Sequence, residues 1–155
     1  MLELFSAIPS DVNYLGEGHL VPIPTSEEIS SLSAILMDVD YATWIQESRT
    51  ISNKVAFARP EHLIPLKALA WLDLRRRKAE GRQVDDRHIR KHKNDVFRLL
   101  TVVDPAYKPT IPSRILKDMT QFIESMRDES VDVKSLGLKG IAKEELLGQL
   151  REMYS

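Results

Sequence analysis

Between Leu63 and Leu74 the chain has almost no polar position: Leu63, Ile64, Leu66, Ala68, Leu69, Ala70, Trp71, Leu72 and Leu74 crowd a stretch opened by Pro60 and Pro65 and stopped by Gly81. Proline suits the first turn of a helix and glycine its end, so the punctuation predicts a helix from about Pro60 to Glu80. A helix apolar nearly all round is stable only when other elements surround it. A chain of 155 residues has enough length for one such core. Lys67 stands inside this stretch, where a charge must be paired, solvated by snorkelling, or used.

The remaining pattern supplies the surroundings. Asp85 is a good N-cap for a helix carrying Ile89, Val96, Leu99, Leu100 and Val103, with Val84 placed to staple onto Ile89. Ile115, Met119, Phe122, Ile123 and Met126 recur at helical spacing after a proline-punctuated loop, and Leu146, Leu147 and Leu150 mark a short last helix. Upstream, Leu2, Leu4 and Phe5 alternate like a strand that looks cut, and Gly16, Gly18, Pro22 and Pro24 read as a loop. Thr25 with Glu28 forms a capping box before Ile29, Leu32, Ile35 and Leu36, predicting another helix. Tyr41, Trp44 and Ile45 suggest a short helix, and Val55 to Ala58 a brief strand. The expected fold is mostly α with a small β remnant, an α+β arrangement of a helical bundle on a few short strands. Its expected divisions are 1–24 (strand remnant and loop), 25–128 (helical domain) and 129–155 (loop and last helix).

Several function classes drop out. No apolar run approaches the roughly 18 residues of a membrane span and no signal-peptide pattern opens the chain, which predicts a cytoplasmic protein without a membrane partner. With no cysteine there is no disulfide, thiolate nucleophile or cysteine-ligated metal. No phosphate-binding glycine loop, nucleophile elbow or dinucleotide fingerprint is present. Asp38 and Asp40 form an Asp-x-Asp pair, but lie between helical stretches and read as a helix end and N-cap.

Charge is unevenly spread. From Arg75 to Lys93 nine cations (Arg75, Arg76, Arg77, Lys78, Arg82, Arg87, Arg90, Lys91, Lys93) face three carboxylates, a net of +6; the whole chain is −1, so the remainder carries −7. Such an edge attracts polyanions, although a solvated charged face explains the same composition. No aromatic residue interleaves it, which argues against base stacking on a single strand. His88, His92 and Asp95 share one helical face and could converge on a divalent metal, while Lys91 and Arg98 beside Asp95 fit an ordinary ion-pair lattice.

The stretch Glu61-His62-Leu63-Ile64-Pro65-Leu66-Lys67-Ala68-Leu69-Ala70-Trp71-Leu72-Asp73-Leu74, with Val84-Asp85 and Lys91-His92-Lys93-Asn94-Asp95-Val96-Phe97-Arg98-Leu99, resembles the later motifs of bacterial AbiEii-type nucleotidyltransferases. These belong to the DNA-polymerase-beta-like superfamily and include toxins of toxin–antitoxin systems. The likeness extends to Leu2-Glu3-Leu4-Phe5-Ser6 and Leu32 to Leu36, about the first hundred residues in all. It implies catalytic positions at Glu3, Lys67 and Asp95, with Glu3 also a metal ligand, and phosphate contacts from Lys91, Lys93, Arg98 and Arg75. Lys93-Asn94-Asp95 departs from the family's Lys-Asp-x-x-Asp, and no Gly-Ser turn with an Asp-x-Asp strand precedes Glu3. Nucleotidyl transfer needs carboxylates holding two Mg2+ ions. The resemblance therefore implies a partial enzyme that binds a nucleotide triphosphate or RNA without turnover. It would need Mg2+ and a complementing polypeptide for activity, and self-association would cover its exposed sheet-facing surface. The alternative expectation is a helical interaction module, antitoxin-like or regulatory, whose basic edge docks an acidic partner or RNA.

Overall fold

A computed structural model describes residues 4–7, 20–22, 33–37, 39–52, 55–138 and 140–155. The chain divides after Glu47 into two compact units. The described residues are mostly helical, with small sheets, as the apolar periodicities predict.

In the first unit, β1 (Leu4–Ala7), β2 (Leu20–Pro22) and β3 (Ser33–Met37) form a sheet in the order β1-β3-β2. β3 runs parallel to β1, pairing Phe5 with Ile35, and antiparallel to β2, pairing Leu20 with Ile35. The helix expected through Ile35 and Leu36 is thus a strand at those residues, and the loop expected around Pro22 contributes strand β2. The run Ala34-Ile35-Leu36-Met37 is apolar without a break, which a strand tolerates as well as a helix, and sheet pairing decides between them. The preceding capping box at Thr25 and Glu28 lies outside the described residues. Helix α1 (Val39–Glu47) packs on β1 and β3, burying Tyr41, Ala42, Trp44 and Ile45 along one stripe.

The second unit opens with a hairpin of β4 (Arg49–Ser52) and β5 (Val55–Ala58), in which Thr50 pairs with Phe57 and Ile51 with Ala56. Successive pairs point to opposite faces, and Ile51 and Phe57 are both exposed. Four helices follow: α2 (Pro60–Ala79), α3 (Asp86–Leu100), α4 (Ser113–Ser125) and α5 (Lys143–Met153). α2 packs against α3 and α4, and α5 against α4 and α3; α2 buries Ile64, Leu66, Ala68 and Trp71, while Leu63, Leu69, Ala70, Leu72 and Leu74 stay half-buried, so the helix is less enclosed than its composition predicts. Ile64, Ala68, Val96, Phe97, Ile115, Met119, Phe122 and Leu150 are sealed from solvent. Trp71 meets Phe122 edge to face at 5.4 Å. No described helix is long and apolar enough to cross a membrane.

Two local devices fix the ends of α2. At its C-terminus Gly81 takes φ 81°, and the N–H groups of Gly81 and Arg82 donate to the carbonyls of Lys78 and Arg77, each at 3.0 Å. This double bond is the Schellman arrangement, and the left-handed backbone it requires is why glycine stands there. Near the N-terminus Pro65 has no N–H to give the carbonyl of Glu61, its partner four residues back. That carbonyl instead accepts the hydroxyl of Tyr154 at 2.6 Å, a buried bond from just past the end of α5. An acceptor orphaned by one side chain is satisfied by another 93 residues away.

Candidate functional site: the basic edge of helices α2 and α3

The cations Arg75 to Lys93 occupy the last turns of α2, the intervening turn, and the first half of α3. The α2–α3 pair is the most extensively packed helix pair of the unit, so the edge has a rigid mount. Most of its cations are held by carboxylates. Asp73 takes Arg76 at 2.8 Å and Arg77 at 2.7 Å; Glu80 takes Arg76 at 3.4 Å and Arg82 at 3.5 Å. Asp86 pairs with Lys78, and Asp85 with Arg87 at 2.9 Å. Asp85 also accepts the backbone N–H of Arg87 at 2.8 Å, so the predicted N-cap forms. Hydrogen bonds from Arg87 hold the Asp85 carboxyl below its ordinary range. Arg90 is exposed and makes no ion pair with a described residue.

Glu129, in the connection between α4 and α5, closes the set. Its Oε1 lies 3.2 Å from Arg75 Nη2 and its Oε2 3.0 Å from Lys93 Nζ. Among the described residues, these nine cations and the carboxylates Asp73, Glu80, Asp85, Asp86 and Glu129 sum to +4. Pairing on a surface adds little stability, roughly 0–1 kcal/mol per pair, but it orders the arginine forks.

Lys93 sits on the buried stripe of α3 with Ile89, Val96, Phe97 and Leu100, and only 9% of it is exposed. Its ammonium donates to Glu129 and, at 2.7 Å, to the Ser130 carbonyl. The lysine set among apolar neighbours is therefore Lys93; Lys67, favoured for that place by its position in α2, is half-buried and engaged in a polar interaction. The legible signal is the spacing Ile89, then four residues to 93, then Val96 and Phe97, which puts a cation at a core position. Arg75 stacks over Trp71 at 5.5 Å, and the buried indole N–H of Trp71 has no hydrogen-bond acceptor among the described residues.

The other expected positions fall as follows. Asp95 is half-buried and pairs with Arg98 at 3.7 Å, the ion-pair lattice its neighbours suggest. Lys91 is exposed and engaged, His88 exposed, and His92 half-buried and engaged. Among the described residues no three acidic or histidine side chains gather to hold a metal, His88, His92 and Asp95 included. Asp40 lies in the first turn of α1; Glu3 and Asp38 lie outside the described residues.

A second polar cluster surrounds the N-terminus of α2, and no motif in the sequence marks it. Arg59 pairs with Glu61 at 3.3 Å, donates to the Tyr107 hydroxyl at 3.2 Å and lies over the Tyr107 ring at 5.3 Å. His62 is 3% exposed; burial and then the Arg59 charge bring its pKa down to about 4, with Glu61 pulling the other way. Burial, with Glu61 and Tyr107 adding to it, pushes the Tyr154 hydroxyl far above the ordinary phenol range, so it stays a donor. This cluster is chemically a structural knot in which Arg59, Glu61, Tyr107 and Tyr154 bond to one another. Comparison of the chain with protein-family models, curated proteins and solved structures returns no match.

Proposed function

We propose that the second unit is a binding module that docks the phosphate backbone of RNA along the α2–α3 edge and performs no chemistry there. The observation that carries this is the net +4 summed over the nine cations and the five carboxylates paired with them among the described residues, with the cations mounted on two packed helices. Arginine forks already aligned by carboxylates exchange one oxyanion for another at small ordering cost. The lack of aromatic residues along the edge favours backbone contact over base stacking.

The test is fluorescence anisotropy with a labelled hairpin RNA across a salt series. Binding should weaken steeply with salt, and Arg90→Ala with Lys91→Ala should lower the slope of log K against log salt by about 1 for each phosphate no longer neutralised. A flat salt dependence, or an unchanged slope in the double variant, removes the proposal. Incubation with Mg2+ and each labelled nucleoside triphosphate, with and without a polypeptide that supplies a metal-binding strand, separates docking from transfer. Label incorporation that depends on Lys67 and Asp95 would replace RNA docking by the nucleotidyltransferase activity that the AbiEii resemblance implies.

A further inference from the structure

The cations facing Glu129 and Glu129 itself have different mounts. Arg75 belongs to α2 and Lys93 to α3, the packed pair at the centre of the unit. Glu129 belongs to the irregular connection between α4 and α5, whose own backbone turns run from Val131 to Leu138 and which side chains tie to the helices: Lys93 grips Ser130, and Lys143 donates to the carbonyls of Arg127 at 2.9 Å and Glu129 at 3.3 Å. Each carboxylate oxygen meets its own cation, at 3.2 and 3.0 Å. An ammonium has three N–H groups, and two of those on Lys93 have partners; Arg75, half exposed, commits one edge of its fork.

A buried ammonium and an arginine fork on rigid helices, spanned by an oxyanion on a tether, make an anion clamp that is already occupied. We propose that Arg75 and Lys93 form a phosphate subsite of the basic edge, that Glu129 fills it in cis, and that an incoming phosphate displaces the Glu129 carboxylate and loosens the α4–α5 connection. This rests on the docking of phosphate at this edge and adds to it a position and a built-in competitor. A tethered carboxylate competes at high effective concentration, so it lowers the apparent affinity by the fraction of clamps it occupies.

The probe is inorganic tripolyphosphate, titrated by calorimetry. Glu129→Gln should bind it about five- to ten-fold more tightly than the unaltered chain. Asp86→Asn makes the same charge change elsewhere on the edge and should give the smaller, general gain. Adding Lys93→Met to Glu129→Gln should cancel the gain. Equal gains in Glu129→Gln and Asp86→Asn overturn the clamp. Hydrogen exchange on the unaltered chain tests it independently of any variant's folding: saturating tripolyphosphate should speed exchange of the amides from 130 to 138, and unchanged or slower exchange there overturns it. RNA that binds with a steep salt slope while the variants behave alike leaves the docking surface standing without the clamp. The tripolyphosphate pattern without RNA binding keeps the clamp and removes the RNA.

Discussion

The two ends of α2 handle charge in opposite ways. At the N-terminal end Glu61 and His62 are buried, and Arg59, Glu61, Tyr107 and Tyr154 are tied to one another by an ion pair and hydrogen bonds. At the C-terminal end Arg75, Arg76, Lys78, Glu80 and Arg82 are exposed and pair mainly with neighbours within a few residues. Burial makes each missing partner costly, whereas exposure lets water replace it. The first end should therefore govern stability, and the second should be free to govern binding.

The largest expected effect breaks the buried end. Tyr154→Phe removes the only side-chain hydroxyl seen on the Glu61 carbonyl among the described residues and should cost about 1–3 kcal/mol in urea unfolding. Pro65→Ala returns the missing N–H to the helix, so in that background the same substitution should cost clearly less. A double-mutant cycle with no coupling would show that the proline is not the reason for the bond.

Next comes pH. The His62 pKa is depressed, so the unfolded chain binds more protons than the folded one between about 4 and 6.5. Stability should be full above pH 6.5 and fall as pH drops through that window, by roughly 1–2 kcal/mol after allowance for screening. Thermal melts of His62→Gln should lose most of this slope; a slope unchanged from the parent would assign it to other groups. The smallest effect sharpens the contrast from the other side. Asp73→Asn strips the carboxylate from both Arg76 and Arg77, yet should shift stability by only about 0.5–1 kcal/mol. It should also tighten RNA binding, since the edge gains one net positive charge. A loss as large as that of Tyr154→Phe would erase the distinction between the two ends.

Local chemistry is legible in the sequence where a short signal decides it. Proline at the start and glycine past the end bound α2; Asp85 caps α3; the stripe through Phe122 places α4. The fate of Ile35 and Leu36 is not legible, because an uninterrupted apolar run fits either period and the pairing that decides it comes from Leu4–Ala7. The basic edge can be read as a count of charges. Its local partners follow from helical spacing, as Asp73 and Glu80 do for Arg76, but Glu129 lies 36 residues beyond Lys93 and no spacing announces it. A lysine inside an apolar helix points to Lys67, whereas the deeper burial belongs to Lys93, whose stripe is interrupted only by that cation. The N-terminal knot joins Arg59, Tyr107 and Tyr154, and nothing in their spacing along the chain announces it.

The bond from Tyr154 to the Glu61 carbonyl also sets an order of events during synthesis. A chain emerging residue by residue exposes α2 long before the tyrosine that completes it. Until then α2 carries a gap in its ladder near its first turn, which water fills. Final closure of this unit must wait for the end of α5 to leave the ribosome.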